Sequence, residues 1–79
     1  MVKISELYVL INCDLEMRNA VMEQLWEIDE VKNVSKAIGQ FDIIVKMESE
    51  DIARLNHLMV WRIKKMACIS NIVALPMRE

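Results

Sequence analysis

The chain falls into two halves of the same design on either side of Gly39, its only glycine. Before Gly39 come an apolar run, Leu7 to Asn12, a stretch with apolar residues at helical spacing, Glu16 to Asp29, and an alternating segment, Val31 to Ile38. After it come a strand-like run, Phe41 to Glu48, a second helical stretch opened by Ser49, and a final apolar run, Ile69 to Leu75. The order is therefore β-α-β-β-α-β. Few folds accept that order in so short a chain, and the split βαβ plan, called ferredoxin-like, is the one it matches. The fold class expected is α+β, a four-stranded antiparallel sheet with two helices on one face, in a single domain spanning residues 1–79.

Each element has a local reason. LYVLIN is continuously apolar and of strand length, as a buried central strand requires. Asp14 is placed to cap the first helix, and Glu16 adds favourable charge to its first turn. Met17, Val21, Leu25 and Ile28 form that helix's apolar stripe. Lys32 and Lys36 suit an exposed edge strand. Gly39-Gln40 reads as a tight hairpin connection, since glycine tolerates positive φ. Ser49 is a good cap for the second helix, with Ile52, Leu55, Met59, Ile63 and Met66 facing inward.

Right-handed crossovers place both helices on one sheet face, with the strands in the order fourth, first, third, second. Both sets of alternating residues on the central strands are apolar, so one set packs under the helices and the other has no cover. Tyr8, Leu10, Ile44 and Ile72, with Val34 and Ile38, are the residues expected on the bare face. A contiguous apolar patch of that kind marks an interface. The expectation is a homodimer joined through facing sheets, a dimeric α/β sandwich. The hydrophobic share of 54% agrees, because a small domain with little core gains stability from a partner subunit. Trp26, Val60 and Trp61 lie off the core stripes and admit two readings, a second interaction surface or a rim covered by its own neighbours.

Other function classes find little support. The net charge of −2 argues against a nucleic-acid-binding face, and the basic cluster Arg62 to Lys65 suits a helix C-terminus. No apolar run reaches the roughly 20 residues of a membrane span, and the first residues lack a signal-peptide pattern. Those features, with only two cysteines, imply a cytoplasmic protein. Cys13 and Cys68, on strands expected to be neighbours, read as reduced buried thiols, with a disulfide as the other possibility. No C-x-x-C is present, the seven methionines fall mostly on core stripes, and neither a metal nor a cofactor is expected. His57, the sole histidine, has no base or nucleophile beside it in sequence, so no catalytic residue is assigned. The local motif that stands out is Gly39-Gln40-Phe41-Asp42. Turn chemistry explains Gly39, but Asp is disfavoured at the start of a strand, and a carboxylate there suits a ligand's amino group or a subunit's backbone donors.

The run LYVLINCD followed by EQLWEIDEVKNVSKAIGQFDIIVKMES resembles the effector-binding domain of the Lrp/AsnC transcription regulators, the RAM domain. The most specific parts are E-I-D-E-V before the second strand and the G-x-F/Y-D hairpin, and the likeness covers roughly Leu7 to Leu75. The resemblance implies dimers through facing sheets, rings of dimers that are commonly octamers, and small effectors, usually amino acids, bound between dimers. Carried over, the ligand contacts fall on Gly39, Gln40, Phe41 and Asp42, with partners on the last strand at Ser70, Asn71 and Val73. The chain departs from the pattern at Val73, where many members have a threonine, and at Phe41, where tyrosine is commoner. Family members carry a helix-turn-helix domain ahead of this one, whereas this sequence opens almost directly at the first strand.

The resulting expectation is a non-enzymatic amino-acid-binding and oligomerisation module in transcriptional regulation of amino-acid metabolism, acting without its own DNA-binding domain. The alternative is a ligand-free module that associates with full-length regulators of the same type. An enzyme is a distant third reading.

Overall fold

The structure, a computed structural model, describes residues 3–77. Strand β1 (Ser5–Cys13) leads through a 3-10 turn (Leu15–Met17) into helix α1 (Arg18–Trp26). Strands β2 (Val31–Lys36) and β3 (Ile43–Ser49) follow. Helix α2 (Ile52–Leu58) then continues as a π-helical turn (Met59–Ile63) before β4 (Ile69–Met77). The strands pair antiparallel in the order β2-β3-β1-β4, the order expected for the split βαβ plan.

The core lies between the helices and one sheet face. Leu7, Val9 and Ile11 of β1 and Ile43, Val45 and Met47 of β3 are fully buried there against Val21, Leu25, Leu55 and Ile63. The alternation of the central strands and the helical stripes thus meet in one cluster, and among the described residues no polar residue is buried as a whole with them.

Two bulges set which residues share a face. In β2, Val31 lies opposite Met47 and Asn33 opposite Lys46, so Lys32 is an extra residue in the ladder. The bulge brings Val31 and Val34, three apart, to the same side, and both are buried. Val34 therefore belongs to the core rather than to the bare face, and Ile38 lies beyond the strand, fully exposed. In β4, Ile69 lies opposite Cys13 and Asn71 opposite Asn12, which leaves Ser70 as the extra residue. Beyond that bulge Ile72 faces Ile11 and packs against the core, while Val73 and Leu75 face Leu10 and Tyr8. Ile72, expected on the bare face, is corrected to the helix-covered face. Both parities of β4 are apolar, so composition alone did not decide which set pointed inward.

Other boundaries shift for local reasons. Helix α1 is shorter than expected, because the chain enters it through the 3-10 turn and Asp14 makes no side-chain cap. Met17 is consequently exposed. The cap of α2 is Asp51, which accepts from the Ala53 amide at 2.9 Å, while Ser49 Oγ accepts from the Asp51 amide at 3.1 Å. In the π turn the Lys64 amide donates to the Met59 carbonyl at 2.8 Å, five residues back. That wider turn puts Leu58 and Ile63, five apart, into the core and leaves Met59 and Met66 half-buried. Strand β3 starts at Ile43 rather than Phe41, and β4 runs past Pro76, tolerated on an edge strand. Arg54 of α2 pairs with Glu30, which holds the Glu30 carboxyl below its ordinary range.

Candidate functional site

The sheet face away from the helices has an apolar middle and two polar ends. Tyr8, Leu10, Ile44 and Val73 are half-buried in the middle, and Leu75 is 46% exposed beside them. At one end Lys46 lies 3.7 Å from both Glu6 and Glu48, and these carboxylates, Glu6 foremost, push its ammonium pKa up. At the other end, where β1 meets the β2–β3 connection and the β4 bulge, the polar groups are mostly neutral amides and a hydroxyl.

That second end is built around Asp42. Its backbone is fixed on both sides: its amide donates to the Ile11 carbonyl at 2.9 Å, and its carbonyl accepts from the Ala37 amide at 2.9 Å. One carboxylate oxygen, Oδ2, accepts from the Cys13 amide at 3.0 Å and from Asn12 Nδ2 at 3.4 Å. The other, Oδ1, has no hydrogen-bond partner among the described residues. Asp42 is thus not a surplus polar residue at a strand start. It terminates the β1–β3 ladder with its own side chain.

Asn12 joins this carboxylate to the last strand. Its Nδ2 donates to the Gln40 carbonyl at 2.6 Å, its Oδ1 accepts from Asn71 Nδ2 at 3.4 Å, and its backbone carbonyl accepts from Ser70 Oγ at 3.3 Å. Of the seven residues carried over to a ligand site from sequence, Gln40, Asp42, Ser70 and Asn71 are therefore drawn into one cluster, while Val73 lies opposite Leu10 in the apolar middle. Gly39 and Phe41 flank it on the same connection. Gly39 has φ of 107°, a left-handed conformation that only glycine adopts without strain, and a Cβ there would meet nothing within 4 Å. Phe41 is half-buried. The amides of Ile38, Gly39, Gln40 and Phe41 make no backbone hydrogen bond among the described residues. A carboxylate oxygen without a partner and free backbone N–H groups on one connection offer an acceptor and donors, the two kinds of group a zwitterion requires.

Asn12 is the residue that sequence reasoning missed. The signal was present: it is the one polar side chain in LYVLIN, and it stands at the strand's end on the uncovered face.

The other chemically capable side chains lie outside this cluster or are inert. Cys13 and Cys68 are free thiols. Burial, reinforced by the nearby Asp42 and Cys68, pushes the Cys13 thiol pKa up, which suppresses the nucleophilic thiolate. His57 is exposed, with its ring 6.0 Å from that of Trp61, and Lys65 lies over the same indole at 5.1 Å. Trp26 and Trp61 are each at least half exposed. A shallow hollow of about 370 Å³ beside the β4 bulge is lined by Lys64, Ile69, Ser70, Asn71 and Ile72. No group of three or more potential metal ligands occurs among the described residues, and no described helix is long and apolar enough to cross a membrane.

The family model of the Lrp/AsnC ligand-binding domain matches residues 6–76, from the first strand through the last. The chain belongs to that family. It is a family of regulatory ligand-binding domains rather than of enzymes. Among solved structures, a hypothetical protein, PHS023, from Pyrococcus horikoshii is 25% identical with a TM-score of 0.88, covering 95% of this chain and 90% of its own. The protein FFRP-DM1 is 26% identical with a TM-score of 0.88, covering 94% of this chain and 99% of its own. A transcriptional regulator from Neisseria meningitidis, solved in complex with L-Met, shares the fold at 9% identity with a TM-score of 0.84, and this chain spans 50% of its length. No match is found among curated proteins.

Proposed function

We propose that this Lrp/AsnC-type domain is a sensor that binds a free amino acid at the Gly39–Asp42 connection and dimerises through its uncovered sheet face. The observation that carries the reading is the state of Asp42. Its backbone and one carboxylate oxygen are engaged, while among the described residues its second oxygen has no partner and the amides of residues 38–41, on the same connection, make no backbone hydrogen bond. In this reading Asp42 Oδ1 receives the ligand's ammonium. The N–H groups of residues 38–41 and the amides of Gln40 and Asn71 receive its carboxylate. The geometry needs no proton transfer and no nucleophile, in keeping with a binding rather than a catalytic role.

Dimerisation follows from the bare face. Tyr8, Leu10, Ile44, Val73 and Leu75 form one apolar band across β3, β1 and β4. Burying a few hundred Å² of such surface contributes several kcal/mol at about 25 cal/mol per Å², against the cost of association. A ligand held between dimers would favour the assembly that binds it better, and that assembly would report to the transcription machinery. L-Met belongs among the first ligands to try, given the Neisseria complex.

One observation favours a second reading, a module that only associates with other such domains. Val73 and Phe41 bring no hydroxyl to the site. Native mass spectrometry with and without a mixture of the standard amino acids separates the two. The sensor gives dimers or larger rings with about one amino-acid adduct per subunit. The associating module gives the same oligomers without adduct under both conditions. A monomer overturns the argument from the apolar face.

A further inference from the structure

The connection between β2 and β3 stands nearly free of the molecule. Ile38 is fully exposed, Gly39 has open space on its Cβ side, and Gln40 is exposed. Residues 38–41 make a single hydrogen bond to the rest of the described chain, from Asn12 Nδ2 to the Gln40 carbonyl at 2.6 Å. The same nitrogen reaches Asp42 Oδ2 at 3.4 Å, so both of its hydrogens are directed to this connection. The remaining polar atom of the side chain, Oδ1, is tied to Asn71 on β4, and the Asn12 carbonyl to Ser70 at the bulge.

We infer that Asn12 is the positioning residue of the hairpin site, a latch whose amide fixes residues 38–41 against β1 and sets their place relative to Ser70 and Asn71. As a ligand-positioning role, this rests on the amino-acid-binding reading above; as a statement about the hairpin it does not. Three arguments support it. The amide divides its functions by atom, donating toward the hairpin and accepting from β4, which no hydroxyl or carboxylate of similar size does. By occupying Asp42 Oδ2 together with the Cys13 amide, it leaves Oδ1 as the single free acceptor and so sets the number of ammonium contacts the carboxylate offers. Its position on β1, between β3 and β4, makes it the shared partner of both halves of the site, so that a ligand ordering the hairpin also orders the β4 bulge.

The role is one of hydrogen bonding, not of packing, and an isosteric change tests it. In Asn12→Asp the shape is kept while the donor becomes an ionised acceptor facing the Gln40 carbonyl and Asp42. Asn12→Ala removes the side chain altogether. Backbone ¹⁵N relaxation is read on the purified wild type and both variants without ligand. The wild type is expected to show ordered amides at residues 38–41. Both variants are expected to show order parameters there falling from near 0.85 toward about 0.6 or below, with the strands unchanged. Should Asn12→Ala unfold, Asn12→Asp still decides the matter. Hairpin amides that stay as ordered in Asn12→Asp as in the wild type would overturn the inference, because packing alone then holds the loop. The companion measurement is affinity for each standard amino acid by calorimetry, where any wild-type ligand is expected to bind at least ten-fold more weakly to Asn12→Asp. Loosened hairpins with unchanged affinity would overturn the positioning role. A wild type that binds no amino acid would end the sensor reading, while the relaxation data would still decide whether Asn12 holds the hairpin.

Discussion

The two polar ends of the uncovered sheet face solve the same problem differently. At one end Lys46 lies between Glu6 and Glu48, both at 3.7 Å, and all three are part exposed. Such contacts are long, solvated and adjustable, and any one charge finds water as a substitute. At the other end Asp42, Asn12 and Asn71 are joined by directed bonds of neutral amides, with Asp42 also closing the backbone ladder through the Cys13 amide. The first end sets one cation between two carboxylates at ion-pair distance, with water free to reach all three. The second keeps one carboxylate oxygen and a run of backbone amides unused. An end with spare hydrogen-bonding capacity on a fixed frame suits the proposed ligand, and a solvated end of charges suits the rim of the proposed interface.

The apolar band between these ends gives the largest expected effect. Leu10→Asp places a charge at its centre, opposite Ile44 and Val73. The prediction is dissociation to monomer at micromolar concentration, a shift in dimer affinity of at least a hundred-fold, read by analytical ultracentrifugation. Burying an unpaired carboxylate at an interface costs several kcal/mol, well beyond what the remaining band restores. A dimer unaffected by Leu10→Asp would move the interface elsewhere and remove the distinction between the band and its two ends.

Next in size is Asp42→Ala. If the amide-rich end is the ligand site, affinity for the bound amino acid falls ten-fold or more, and the dimer persists because the band is intact. The Cys13 amide also loses its acceptor, so thermal stability drops by about 1–2 kcal/mol as well. Calorimetry and a melting curve read the two effects separately. Unchanged affinity in a folded, dimeric Asp42→Ala would take Asp42 out of the site and leave the two ends functionally alike.

A smaller effect concerns pH. Burial foremost, then Asp42 and Cys68, raises the Cys13 thiol pKa above its ordinary value of 9.0. In the unfolded chain the thiol ionises first as pH climbs past about 9, while the folded thiol keeps its proton. The folded state then binds more protons than the unfolded one, so stability falls as pH rises through that window and is unaffected below it. The expected result is a steeper loss of melting temperature between pH 8 and 10 in the wild type than in Cys13→Ala. Parallel profiles would show that folding does not hold the Cys13 thiol in its protonated form.

The contrast between the ends was only partly legible in the sequence. Element order, helix number and the G-Q-F-D turn follow from periodicity and from a lone glycine, because those signals are local, and strand order follows from the handedness of the two crossovers. The apolar face was legible through Tyr8, Leu10 and Ile44, whose strands alternate without interruption. Ile72 and Val34 were misplaced because each lies beyond a bulge, at Ser70 and at Lys32, and one inserted residue reverses the parity of everything after it. Leu58 was overlooked because the inner stripe was continued from Leu55 to Met59, whereas the π turn beginning at Met59 brings Ile63, five residues on from Leu58, to the same side. Asn12 escaped notice because its partners are 28, 30 and 59 residues away in sequence, and no local pattern brings them together.

The smallest expected effect is the sharpest check on the comparison. Lys46→Ala removes the cation from the charged end and leaves Glu6 and Glu48 facing one another across the β1–β3 pair. If that end is a solvated rim, the variant melts within a degree or so of the wild type at physiological salt, and any difference shrinks as salt is raised. Affinity for an amino acid should stay within two-fold of the wild type, since the Asp42 end, the proposed ligand site, lies at the far side of the band. A loss as large as that of Asp42→Ala would mean that Lys46 is desolvated in the assembled protein, buried by a partner that brings its own groups to the carboxylates. The two ends would then be two halves of one interface, and the division of labour between rim and site would fail at the point where it predicts almost nothing.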